Sequence, residues 1–139
     1  MISKTFIALI FVCLVSLSCA SYYGGGCGGR RGGHNNFVSG SWNKIKGSNN
    51  GVGGNFNNIW GNSNGVIGHA NGIEGSYNGV IGNCNRIRGN SNGVFGHYNT
   101  VNGHANGIRG SGNYVNGHLN GICGNGNRVS GVGNQISGW

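Results

Sequence analysis

The stretch GSYNGVIGNCNRIR, residues 75–88, holds two copies of one seven-residue pattern, G-x-x-N-x-[VI]-x. Outward from it the pattern runs without a break from Gly33 to Ser137, fifteen units in a single register. A strict period with three fixed positions marks a solenoid, whose units bury their apolar residue only against their neighbours. Helix is excluded, because a Gly in every seven residues would cost it roughly 1 kcal/mol each time, and the recurrent Asn would add to that. The alternation N-x-[VI]-x, β-branched at every core position, reads instead as a short strand. Gly then takes the corner, where positive φ or close backbone approach is needed.

A second period lies over the first. Gly also precedes the apolar residue in every second unit, at Gly51, Gly65, Gly79, Gly93, Gly107 and Gly121, so the true repeat is fourteen residues. The alternation of Val and Ile slips once, at Val94 and Val101, while the Gly column passes through unbroken. The expected fold is all-β, a flattened two-strand β-solenoid of about seven and a half coils, roughly 36 Å long at the spacing of paired strands. Its core is the column from Val38 to Ile136. Its internal ladder is Asn36, Asn43, Asn50, Asn57, Asn64, Asn71, Asn78, Asn85, Asn92, Asn99, Asn106, Asn113, Asn120, Asn127 and Asn134. Stacked Asn side chains hydrogen-bond along the axis, whereas Asp at that spacing would stack like charges, and the chain contains no Asp.

Outside the repeat, residues 1–20 combine Lys4, an apolar run from Phe6 to Leu17 and Ser18-Cys19-Ala20, the plan of a secretory signal peptide rather than a membrane span. The expected product is secreted and extracellular. Residues 21–32 read as a Gly-rich flexible leader, and 138–139 as a short tail without a capping element. An uncapped solenoid exposes a strand edge at its end, which invites end-to-end association.

The formal net charge of +8 falls to +7 once Lys4 is removed with the signal. Basic charge invites anionic partners. Lys44 and Lys46, Arg86 and Arg88, and Arg128 fall at one phase of the repeat, three coils apart, without the aromatic interleaving that single-stranded nucleic acid requires. No specific nucleic-acid partner and no membrane span are expected; a cationic antimicrobial or polyanion-binding role is the third-ranked reading. Of the cysteines outside the signal, Cys84 and Cys123 lie too far apart to bond, so Cys27, Cys84 and Cys123 are candidates for an intermolecular disulfide.

Catalytic machinery is missing from the sequence. Glu74 is the single acidic residue, so paired-carboxylate chemistry is excluded, and a thin roll offers no cleft for a nucleophile and its base. All five His occupy the second position of the unit, beside the corner Gly, a position otherwise filled by Ser, Asn and one Val. They read as corner residues; no metal site and no cofactor are expected. Calcium-binding rolls need a recurrent Asp. What remains is the outward surface. One face presents Gly65, Ile67, Gly79, Ile81, Gly93 and Phe95, a flat surface with an apolar stripe, and is the candidate binding face. The other carries the cations and bulkier side chains.

The heptad resembles the repeat of the grass ice-recrystallisation-inhibition proteins, secreted antifreeze proteins. That resemblance covers all fifteen units from Gly33 to Ser137. It implies a left-handed β-roll with a Val core and internal Asn ladders, and binding to ice or another crystal, such as a mineral surface, through one flat face. The family's ice-binding face bears outward Thr, Ser and Val; here Thr100 is the one such Thr, and Gly or charged residues fill most equivalent positions. The rival reading is a self-assembling structural protein of an extracellular matrix, associating end to end or face to face, which accounts for the unpaired cysteines and the apolar stripe.

Overall fold

The computed structural model describes residues 31–138; the signal, Cys27, most of the leader and Trp139 lie outside them. The described chain coils through sixteen strands that alternate between two parallel sheets. Sheet A contains β1 (Arg31–Gly32), β3 (Lys44–Lys46), β5 (Asn58–Trp60), β7 (Gly72–Glu74), β9 (Arg86–Arg88), β11 (Thr100–His104), β13 (Tyr114–His118) and β15 (Arg128–Val132). Sheet B contains β2 (Phe37–Ser39), β4 (Gly51–Gly53), β6 (Gly65–Ile67), β8 (Gly79–Ile81), β10 (Gly93–Phe95), β12 (Gly107–Arg109), β14 (Gly121–Cys123) and β16 (Gln135–Ser137). Every pair is in register at a fourteen-residue offset, as in Ile59↔Ile73 and Val66↔Val80. The solenoid, its fourteen-residue coil and its Asn ladder are therefore as the sequence led us to expect. Strand pairing begins slightly before the first repeat unit, because Arg31 and Gly32 already pair with Ile45 and Lys46.

The core is one file of thirteen buried Val and Ile side chains from Ile45 to Val129, with Val38 and Ile136 half-buried at its ends. The slip at Val94 and Val101 has a packing explanation. Sheet A changes from Ile87 to Val101 in the same coil step in which sheet B changes from Val94 to Ile108. The successive pairs Ile87 with Val94 and Val101 with Ile108 thus each hold one Val and one Ile, so the volume of such a pair is kept through the exchange.

The buried part of the ladder is fully satisfied. Asn78, with 0% of its surface exposed, donates from its backbone N–H and from Nδ2 to Asn64 Oδ1 (3.0 and 3.1 Å), and from Nδ2 to the Gly89 carbonyl (2.8 Å). Its own Oδ1 accepts the same two bonds from Asn92. No buried side-chain polar atom among the described residues lacks a partner.

Positive φ occurs twice per corner, not once. The corner Gly has φ from 104° to 145°, and the third residue of each unit sits in the left-handed region at 54° to 72°. Twelve of these third residues are not Gly, among them Trp42, Phe56, Tyr77, Tyr98 and Leu119. That conformation costs roughly 1–2 kcal/mol for an L-residue and persists only when its surroundings over-determine it. The stack supplies the constraint: the N–H of Phe56 bonds the Ser41 carbonyl of the preceding coil (3.0 Å), and this contact recurs along both edges.

The second position of the unit forms an acceptor file of its own. The backbone N–H of Asn83 bonds His97 Nδ1 (3.1 Å), that of His97 bonds Ser111 Oγ (3.3 Å), and that of Ser111 bonds Asn125 Oδ1 (2.7 Å). The requirement is a short-reach acceptor, which Ser, Asn and His meet alike. Accordingly, His97→Asn is expected to leave stability within about 0.5 kcal/mol of the original. His97→Ala removes the acceptor and is expected to cost about 1 kcal/mol in urea unfolding.

Candidate functional site

With the core and both ladders turned inward, the surface of each sheet is set by the residues flanking the core position. On sheet B these form two files. Gly51, Gly65, Gly79, Gly93, Gly107 and Gly121 stack in register, and Gly53, Ile67, Ile81, Phe95, Arg109 and Cys123 stack beside them. The six residues of the candidate face come together on adjacent strands β6, β8 and β10. Ile67 and Ile81 are 53% and 40% exposed, Phe95 and Gly93 are half-buried, and Gly65 and Gly79 are buried. From β4 to β10 no outward side chain of this sheet is charged.

These outward glycines differ in kind from the corner glycines. None of the six has positive φ, and a Cβ on Gly51 or Gly107 would meet nothing within 4 Å. Backbone conformation does not require glycine there, and Gly is a weak strand residue. At Gly51 and Gly107, then, neither backbone conformation nor want of room accounts for the glycine. Outward positions repeat about every 4.8 Å along the axis and about every 6.6 Å along a strand, a rectangular lattice on a scaffold stiffened by hydrogen bonds on every side.

Sheet A is its electrostatic opposite. Its outward residues include Lys44, Lys46, Arg86, Arg88 and Arg128 against the one carboxylate of Glu74, whereas sheet B bears Arg109 as its one cation. The expectation that aromatics do not interleave with these cations is corrected by the coil register. Lys46 Nζ lies 4.8 Å and Lys44 Nζ 5.8 Å from the centre of the Trp60 ring, and the Arg128 guanidinium sits 5.1 Å over Tyr114. Written as a line the sequence separates Lys46 from Trp60, and Tyr114 from Arg128, by fourteen residues; written in rows of fourteen it stacks them. Arg88 Nε pairs with Glu74 Oε2 at 3.2 Å.

The corners hold the remaining candidates. His104 and His118 stack with ring centres 5.1 Å apart. Their Nδ1 atoms accept the N–H groups of Asn90 (3.0 Å) and His104 (3.1 Å), which places the proton of each neutral ring on Nε2. Binding a metal through Nε2 would require the opposite tautomer and would break those corner bonds. No group of three or more potential ligands is gathered among the described residues. Cys84 lies exposed at a sheet B to sheet A corner and Cys123 exposed on sheet B; both are free thiols and the fold does not bring them together. Trp42 and Phe56 stack in parallel on adjacent coils, 6.3 Å apart, with about two-thirds of each exposed. The signal for this pair was the shared third position of the unit.

A family model described as the grass antifreeze beta roll matches residues 24–117. None of the curated proteins compared matches the chain.

Proposed function

We propose that this chain, which belongs to the grass antifreeze beta-roll family, binds ice through sheet B and thereby inhibits ice recrystallisation. The observation that carries the reading is the uncharged, low-relief lattice from β4 to β10, with Gly65, Ile67, Gly79, Ile81, Gly93 and Phe95 at its centre. A charged side chain holds its own hydration shell, and stripping that shell is expensive; a surface of Gly and aliphatic groups leaves its water free to order against a crystal. Regular spacing on a rigid backbone makes that order common to many sites at once. The proposed protein is secreted, acts outside the cell and performs no catalysis.

The test is ice-recrystallisation inhibition by the purified chain beside its Ile81→Lys variant. Desolvating a new ammonium against ice is expected to raise the effective concentration by at least about tenfold. Lys46→Gln, on sheet A, is expected to leave it unchanged. Equal activity of Ile81→Lys and the original chain refutes the assignment to sheet B.

Self-association is a second reading with observations of its own: exposed thiols at Cys84 and Cys123, and exposed Trp42, Phe56, Tyr98 and Leu119 along the corners. It assigns Cys27, Cys84 and Cys123 to intermolecular disulfides in an extracellular matrix. Sedimentation before and after reduction decides it: a monomer under both conditions removes this reading.

A further inference from the structure

We propose that the outward face of sheet A binds a linear acidic polysaccharide, with a notch over Gly72 as its principal subsite. Lys44 and Lys46, Arg86 and Arg88, and Arg128 stand on β3, β9 and β15, in line along the axis and about 14 Å apart at three strand spacings. Between them the outward residues include Asn58, Thr100, Asn102 and Asn116, neutral groups that exchange hydrogen bonds with hydroxyls. Cations at wide intervals separated by amides and a hydroxyl fit a chain of hydroxyl-rich rings bearing periodic carboxylates. Duplex nucleic acid, by contrast, presents one charge per roughly 1.7 Å, far denser than this face can match.

The notch supplies a seat for one ring. Gly72 is the one glycine among the outward residues that flank the core on the sheet A strands β3, β5, β7, β9, β11, β13 and β15, and a Cβ there would meet nothing within 4 Å. The depression around it, about 530 Å³, runs to the neighbouring corner at Ala70 and Cys84 and is lined on the sheet by Trp60, Glu74, Arg86 and Arg88. Trp60 is held in place: its Nε1 donates to Asn58 Oδ1 (3.0 Å) and Lys46 lies over its ring. A sugar ring laid in the notch has an aromatic surface for its C–H face. Arg88 is engaged by Glu74, so Arg86 is the guanidinium offered to a carboxylate. A lipid surface is the poorer fit, because the outward residues between the cations include Asn58, Thr100, Asn102 and Asn116, amides and a hydroxyl, in place of a cluster of apolar side chains to insert.

The experiment is calorimetric titration of the purified chain with sodium polygalacturonate, which carries one carboxylate per sugar, at low ionic strength. Binding that weakens as salt is added is expected. The triple variant Lys44→Gln, Arg86→Gln, Arg128→Gln is expected to bind about tenfold more weakly, and Arg109→Gln, on sheet B, within about twofold of the original. Gly72→Leu keeps every charge and raises a branched side chain from the floor of the notch; it is expected to weaken binding several-fold while unfolding at an unchanged urea midpoint. Equal binding of pullulan, a neutral glucan, or tighter binding of oligo(dT) or of phosphatidylserine vesicles, overturns the assignment to an acidic polysaccharide. Undiminished binding by Gly72→Leu overturns the subsite.

Discussion

Asn78→Asp is expected to destabilise the roll by at least about 4 kcal/mol, or to prevent folding. The amide is fully buried and uses both of its polar atoms, giving bonds to Asn64 Oδ1 and the Gly89 carbonyl and accepting two from Asn92. Aspartate keeps the acceptor and loses the donor. It leaves the Gly89 carbonyl without its side-chain partner and sets a buried carboxylate against Asn64 Oδ1. Protonation does not rescue it, since a carboxylic acid supplies one donor where the amide supplies two. The control lies in the same ladder. Asn134, half-buried in the last described coil, donates to Asn120 and, at 3.3 Å, to the Ser130 carbonyl, and among the described residues no ladder Asn donates to it, so Asn134→Asp is expected to cost about 1–2 kcal/mol. Urea unfolding of the two variants decides; equal losses would mean that the ladder does not depend on burial.

Gly75→Ala is expected to remove the cooperative β-sheet transition, with a loss of at least about 3 kcal/mol. At φ of 132°, Gly75 occupies a conformation that L-residues rarely adopt, and a Cβ there would overlap the Gly89 carbonyl oxygen. That oxygen belongs to the stacked backbone of the next coil and cannot move without parting the rungs. Three residues earlier, Gly72→Ala meets open space at ordinary φ and is expected to be neutral or to stabilise by up to about 1 kcal/mol. One substitution at two nearby glycines thus separates corner glycine from surface glycine. Far-UV circular dichroism during thermal melting reads both.

Nearly all of the fold is legible in the residues because the chain is periodic. Gly, Asn and Val or Ile each solve one local problem, at the corner, in the ladder and in the core, and fifteen repetitions fix the register. What escapes a linear reading depends on contacts between coils. The left-handed third residue has no compositional mark, since Trp42, Ala70 and Leu119 adopt it because the neighbouring backbone holds them there. The second position reads as indifferent polar until its acceptor bonds to the adjacent coil are seen. The stacking of Lys46 on Trp60 and of Arg128 on Tyr114 is likewise a property of the fourteen-residue offset. The candidate face on β6, β8 and β10 is legible as a set. The burial of Gly65 and Gly79 is not, and it leaves Ile67, Ile81 and Phe95 to define the outermost surface of that patch.

The claim that sheet B meets ice while sheet A faces away is tested most directly by partition of fluorescently labelled protein into a slowly growing ice hemisphere, using two variants with the same added charge. The original chain and Thr100→Lys, on sheet A, are expected to enter the ice, while Ile81→Lys, on sheet B, remains in the liquid. Entry of Ile81→Lys together with exclusion of Thr100→Lys would contradict that claim and assign the crystal-binding surface to the opposite sheet.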